Sequence, residues 1–115
     1  MADKHLLIHA YGADPEVLST AFRVARNSAR ELGSGVGIHI VVQGPAVEQL
    51  TAGSSYADEI AEVATSRAIE VTACSNSMAT IGVDKSELHK SVGSVPSAVA
   101  YVAQKQWEGW AYVRF

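Results

Sequence analysis

Val36-Gly37-Ile38-His39-Ile40-Val41-Val42 is the stretch on which the fold reading turns. The run is rich in β-branched residues and nearly continuous in its apolar character, which predicts a strand buried on both faces, as in parallel sheets. Immediately before it, Gly33 closes a pattern in which Leu18, Ala21, Phe22, Ala25, Ala29 and Leu32 recur at helical spacing. That helix opens at Asp14-Pro15-Glu16, where Asp14 can cap, Pro15 suits the first helical position and Glu16 suits the positive end of the dipole. Lys4 to Tyr11, earlier still, is a short apolar run with strand character.

Working towards the other end, Gln43-Gly44-Pro45 breaks the strand, and a short helical turn is predicted over Ala46 to Leu50. Ser55-Tyr56-Ala57-Asp58 has capping-box spacing and predicts a second helix along Tyr56, Ile60, Val63 and Ala64. Ile69 to Ala73 reads as a third strand, ending at Cys74-Ser75-Asn76-Ser77. A weaker helical stretch from Ser77 to Ile81 and a turn from Asp84 to Leu88 follow. Ser91 to Val95 predicts a fourth strand, closed by Pro96. Ser97 then caps a helix running through Val99, Val102 and Gln106 to Gly109, and Ala111 to Arg114 supplies a last strand. Strand and helix alternate throughout, which predicts a parallel sheet with helices on both faces.

A chain of 115 residues, 48% hydrophobic and 18% charged, has the size and balance of a single globular domain spanning residues 1–115. The net charge is −3 and the positive residues are scattered, which excludes the clustered Lys and Arg that nucleic-acid binding needs. Arg23, Arg26 and Arg30 share one helical face and read as a solvated outer face or as an anion or partner site. No segment reads as a signal peptide or membrane span, and a single cysteine cannot form an internal disulfide, so the expected location is the cytoplasm.

In open parallel sheets, ligands bind beyond the carboxyl ends of the strands. That edge carries His9-Ala10-Tyr11, Gln43-Gly44-Pro45, Cys74-Ser75-Asn76 and Pro96-Ser97. Cys74 stands where a strand gives way to a helix, and free N–H groups with the helix dipole would stabilise its thiolate there. Such a thiol can act as nucleophile or sulfur carrier. Equally, a free cysteine often serves as a small buried hydrophobe. His5 and His9 stand roughly 13 Å apart along one strand face, too far to share a metal. His39, in mid-strand, reads as a hydrogen-bonded interior histidine, and no metal site or resident cofactor is expected. Gly33-Ser34-Gly35-Val36-Gly37 follows a helix and precedes a strand, the reverse of a phosphate-cradling loop. Tyr101, Trp107, Trp110, Tyr112 and Phe115 crowd the C-terminal third, more aromatics than core packing needs, and the surplus points to self-association.

Val41-Val42-Gln43-Gly44-Pro45-Ala46-Val47, Val71-Thr72-Ala73-Cys74-Ser75-Asn76-Ser77-Met78, Val95-Pro96-Ser97-Ala98-Val99 and Gln106-Trp107-Glu108-Gly109-Trp110-Ala111-Tyr112-Val113 together resemble the small DsrE/DsrF-like proteins of intracellular sulfur oxidation and sulfur relay. The resemblance implies a three-layer α/β/α sandwich with a five-stranded, mostly parallel sheet in the order 4-3-2-1-5. It also implies homo-oligomers, often trimers or hexamers. In the relay branch a cysteine after the third strand carries a persulfide between partner proteins, and Cys74 falls at that position. The relay proteins tend to follow their cysteine with a helix containing arginines, whereas Met78-Ala79-Thr80-Ile81-Gly82 has none.

Three functional readings stay open at this level. In the first, Cys74 accepts sulfane sulfur from a donor protein and passes it to an acceptor, with His9, Gln43, Ser75 and Asn76 shaping its pocket; Cys74 must then be partly exposed and its pKa depressed. In the second, the protein is a non-catalytic homo-oligomeric binding or scaffold subunit and Cys74 is packing. In the third, His9 is the base of a cysteine hydrolase or transferase. The strand order puts the second strand between the other two, so it favours Gln43 over His9 as the neighbour of Cys74.

Overall fold

Five strands form one sheet in the order β4-β3-β2-β1-β5, with β1 at Lys4–Tyr11, β2 at Val36–Gln43, β3 at Ile69–Cys74, β4 at Val92–Val95 and β5 at Ala111–Arg114. In this computed structural model, which describes residues 3–66 and 68–115, every strand pair is parallel. The β-branched run of β2 pairs on both sides and is covered on both faces, which explains why it lacks polar alternation.

Alternation along the strands sends side chains to two different layers. Ile8, Ile40, Val42, Val71 and Ala73 face α1 (Glu16–Leu32), α2 (Ala57–Ala64) and a 3₁₀ segment at Gly44–Leu50. Leu18, Phe22, Leu50 and Ile60 from those elements complete an aliphatic core. The opposite face carries a smaller cluster of Leu7, Val41, Cys74, Ala98 and Val102, bordered by Tyr101, Trp110 and Tyr112. Its cover is α4 (Ala98–Trp107), which packs on β1 and β2. A short helix, α3 (Ser75–Ile81), continues directly from β3 and sends Met78 into the larger core.

The caps follow from local chemistry. Pro15 has helical dihedrals (φ −58, ψ −24) and Asp14 Oδ1 accepts the Glu16 N–H at 2.9 Å, as expected of a capping aspartate. Gly33 ends α1 at φ 84, where a side chain would be strained. Ser97 Oγ accepts the Ala100 N–H at 3.3 Å and starts α4.

Two local expectations are corrected. The Ser55–Asp58 capping box does not form; Ser54 Oγ instead accepts the Tyr56 N–H at 3.1 Å. Helix α3 begins at Ser75 rather than Ser77, because polar residues in its first turn give no apolar period to read. On α4, Ala98 and Val102 pack inward, while Val99 is 63% exposed.

Candidate functional site

Cys74 ends β3 with extended dihedrals (φ −77, ψ 117) and stands in the N-cap position of α3. Val42 pairs with Ala73, so Gln43 and Cys74 are the next residues along their two strands. Both line a cavity of about 430 Å³ at the carboxyl edge of the sheet, together with Asn76, Ser77, Ser97 and Val99. Gly44, at φ 76, turns the chain away from β2 beside this cavity.

The sulfur lies where several donors converge. Ala98, the first residue of α4, donates its N–H to Sγ at 3.4 Å. The Ser77 hydroxyl and the N–H groups of Ser77 and Asn76 lie close by and favour the thiolate, although the Asn76 N–H itself donates to the Pro96 carbonyl at 3.3 Å. Ser77 Oγ accepts the Gly44 N–H at 2.8 Å, which leaves its own proton free to be donated to sulfur. Burial pushes the Cys74 thiol up, but the Ser77 hydroxyl and the N–H groups of Ser77, Ala98 and Asn76 outweigh it, and the pKa falls below the ordinary thiol value. The expected depression is therefore present. The expected partial exposure is not: Cys74 is 2% exposed, its sulfur meeting the cavity only as part of the wall.

Ser77 is the residue that sequence reading missed. Its signal was the spacing Cys74-x-x-Ser77 at a strand-to-helix junction, because the third residue of a helix points its polar groups back at the capping position.

The other expected site residues divide. Gln43 and Asn76 line the cavity, whereas Ser75, the half-buried first residue of α3, and His9 lie outside its wall. His9 is buried on β1 and does not approach the thiol: its Nε2 lies 2.7 Å from Gln43 Oε1 and its Nδ1 lies 2.9 Å from the Tyr112 hydroxyl. Burial lowers its pKa, opposed by the Gln43 hydrogen bond and helped by the charge of Arg114. No Cys74–His9 dyad exists, because β2 separates the two strands and both imidazole nitrogens are already engaged.

The remaining histidines are elsewhere. His39 Nε2 lies 2.9 Å from Glu70 Oε2 while Nδ1 meets the Tyr101 hydroxyl, so it is hydrogen-bonded as expected of a mid-strand histidine. His5 stacks on Trp110 with ring centroids 4.3 Å apart. Among the described residues, no three His, Cys, Asp or Glu side chains gather as a metal site would require.

A family model described as the DsrE/DsrF-like family matches residues 5–115. A protein of unknown function from Methanobacterium thermoautotrophicum, MTH1491, is similar in structure, with a TM-score of 0.89 and 29% identity, covering 98% of this chain and 100% of its own. The ychN protein of E. coli shares the fold, with a TM-score of 0.74 at 21% identity, covering 97% of this chain and 99% of its own. No curated protein matches the sequence.

Proposed function

The chain belongs to the DsrE/DsrF-like family, associated in general with sulfur relay, and on that premise we propose that Cys74 carries sulfane sulfur as a persulfide. The observation that supports this most is the Ala98 N–H donated to Sγ at 3.4 Å, which together with the nearby Ser77 and Asn76 groups lowers the thiol pKa without any cationic side chain. This arrangement meets in another way the absence of arginines from α3.

The chemistry is a thiol–persulfide exchange. The Cys74 thiolate attacks the outer sulfur of a donor persulfide, an S–S bond forms at Cys74, the donor's S–S bond breaks, and the donor leaves as a thiolate that takes up the proton. Delivery is the same step reversed: an acceptor thiolate attacks the outer sulfur and expels Cys74. A low pKa helps both directions, raising the thiolate fraction at neutral pH and making Cys74 a better leaving group. Donor and acceptor are thiol-bearing proteins on this reading, and the cavity beside Cys74 is where the transferred sulfur enters.

The test is the intact mass after exposure to a persulfide or polysulfide donor, with a pH series of Cys74 alkylation alongside. A one-sulfur adduct that disappears in Cys74→Ser is expected. Ser77→Ala is expected to raise the thiol pKa and to slow alkylation several-fold near neutral pH. An unreactive thiol without adduct in folded protein removes the proposal.

The burial of Cys74 among Leu7, Val41, Ala98 and Val102 favours a second reading, in which the cysteine is packing and the protein is a binding or scaffold subunit. Cys74→Ser then folds, assembles and binds as before. Both readings include self-association, as trimer or hexamer. Trp107 is 82% exposed and shares the outer face of α4 with Val99, which also lines the Cys74 cavity, so a second copy seated there would close the cavity. Trp107→Glu is expected to lower the mass measured by light scattering; an unchanged mass removes α4 from the interface.

A further inference from the structure

We propose that Tyr112, His9 and Gln43 form a positioning chain that turns the Gln43 amide N–H₂ into the Cys74 cavity, so that the cavity selects a ligand with an anionic acceptor atom beside the reacting sulfur. The ligand class rests on the persulfide reading, in which the outer sulfur is such an anion; the chain itself does not.

Gln43 Oε1 can only accept, so the imidazole nitrogen 2.7 Å from it, His9 Nε2, carries a proton. Burial keeps His9 neutral, so Nδ1 is bare and accepts the Tyr112 hydroxyl proton at 2.9 Å. With its oxygen held by His9, the carboxamide has its N–H₂ on the other fork, where no hydrogen bond to the described residues engages it and solvent reaches it. Gln43 itself lines the cavity with Cys74.

The fold fixes each link. His9 pairs with Val41, two residues before Gln43 on the same face of the adjacent strand, a diagonal within reach of long side chains. Tyr112 pairs with Leu7, the same diagonal on the other side of β1. The Phe115 N–H donates to the His9 carbonyl at 2.9 Å and ties the two strands together just beyond.

The surroundings agree with an anion. Among the described residues no Asp, Glu, Lys or Arg side chain lines this cavity, so none of their carboxylates opposes a negative ligand. The groups that do line it include the hydroxyl of Ser97 and the amides of Gln43 and Asn76, all able to donate.

Alkylation rates of Cys74 by iodoacetate and by iodoacetamide, taken as a ratio, isolate the effect. Both reagents need the thiolate, so a changed thiol pKa cancels, while only iodoacetate brings an anion to Gln43. Gln43→Leu and His9→Phe are each expected to lower the ratio about tenfold, as for a lost hydrogen bond to a charged group, and the double variant to lower it no further. An unchanged ratio in either single variant, or additive losses, overturns the proposal. The tautomer in the unaltered protein gives a reading independent of any variant's folding: ¹⁵N NMR should find the His9 proton on Nε2, and a proton on Nδ1 with Nε2 bare overturns it. A protein that takes no sulfur from a persulfide donor, yet shows the expected ratio and tautomer, refutes the carrier reading and leaves the positioning chain standing.

Discussion

On the face of the sheet covered by α1 and α2, strands β1 to β3 present Ile8, Ile40, Val42 and Val71, all buried. On the face under α4, the same three strands present His9, His39, Gln43 and Cys74 among a few apolar neighbours. The first face is held by close packing and the second largely by directed hydrogen bonds. One helix covers the polar face where several elements cover the other, and the Cys74 cavity opens at its edge. Close packing and the candidate site thus fall on opposite sides of one backbone.

The largest blow to that division is a cavity in the aliphatic face. Phe22 is fully buried, and Phe22→Ala is expected to cost about 3–5 kcal/mol in urea unfolding. A loss below about 1 kcal/mol would mean that this face is not the stabilising one. On the other side, Ser97→Ala removes the α4 cap together with a hydroxyl of the cavity wall and is expected to cost about 1 kcal/mol. Because Ala98 donates to Sγ from the same turn, slower Cys74 alkylation should accompany it; unaltered alkylation would separate the helix start from the thiol.

Acid should touch the polar face alone, and more gently. His9 and His39 both titrate below the ordinary 6.5 in the folded chain, chiefly through burial, though Gln43 and Glu70 oppose the shift. The unfolded chain therefore takes up these protons first. Their contribution is fully present above about 6.5 and is lost as the pH falls through the lower folded values, so the urea midpoint should drop between about pH 7.5 and about pH 5.5. Equal midpoints would show that the imidazoles are protonated without penalty. Smallest of all, Arg26→Ala breaks a half-exposed 3.1 Å pair with Glu59 on the outer surface and should change stability by less than about 0.5 kcal/mol.

The packed face was the legible one. Apolar runs such as Ile38–Val42 and the period of α1 announce themselves, because burial on that side demands the same chemistry at every repeat. The polar face is written into the same runs as single interruptions, His9, His39 and Gln43, and nothing in their spacing says which partner each will meet. His9 was read as a possible base for Cys74, yet the diagonal to Gln43 exists only once the strands are in register. Ser77 escaped notice because its role depends on α3 starting at Ser75, without an apolar residue to mark the start.

The contact between His9 and Tyr112 spans 103 positions of sequence. Closing so long a loop is among the last rewards of folding, whereas β1, α1 and β2 can assemble from neighbouring segments. Refolding is therefore expected to pass through molecules whose aliphatic side has formed while β5 is still undocked. In such molecules Gln43 turns freely and the wall beside Cys74 has no fixed polarity. Selectivity between anionic and neutral reagents should consequently recover later in time than helical signal does.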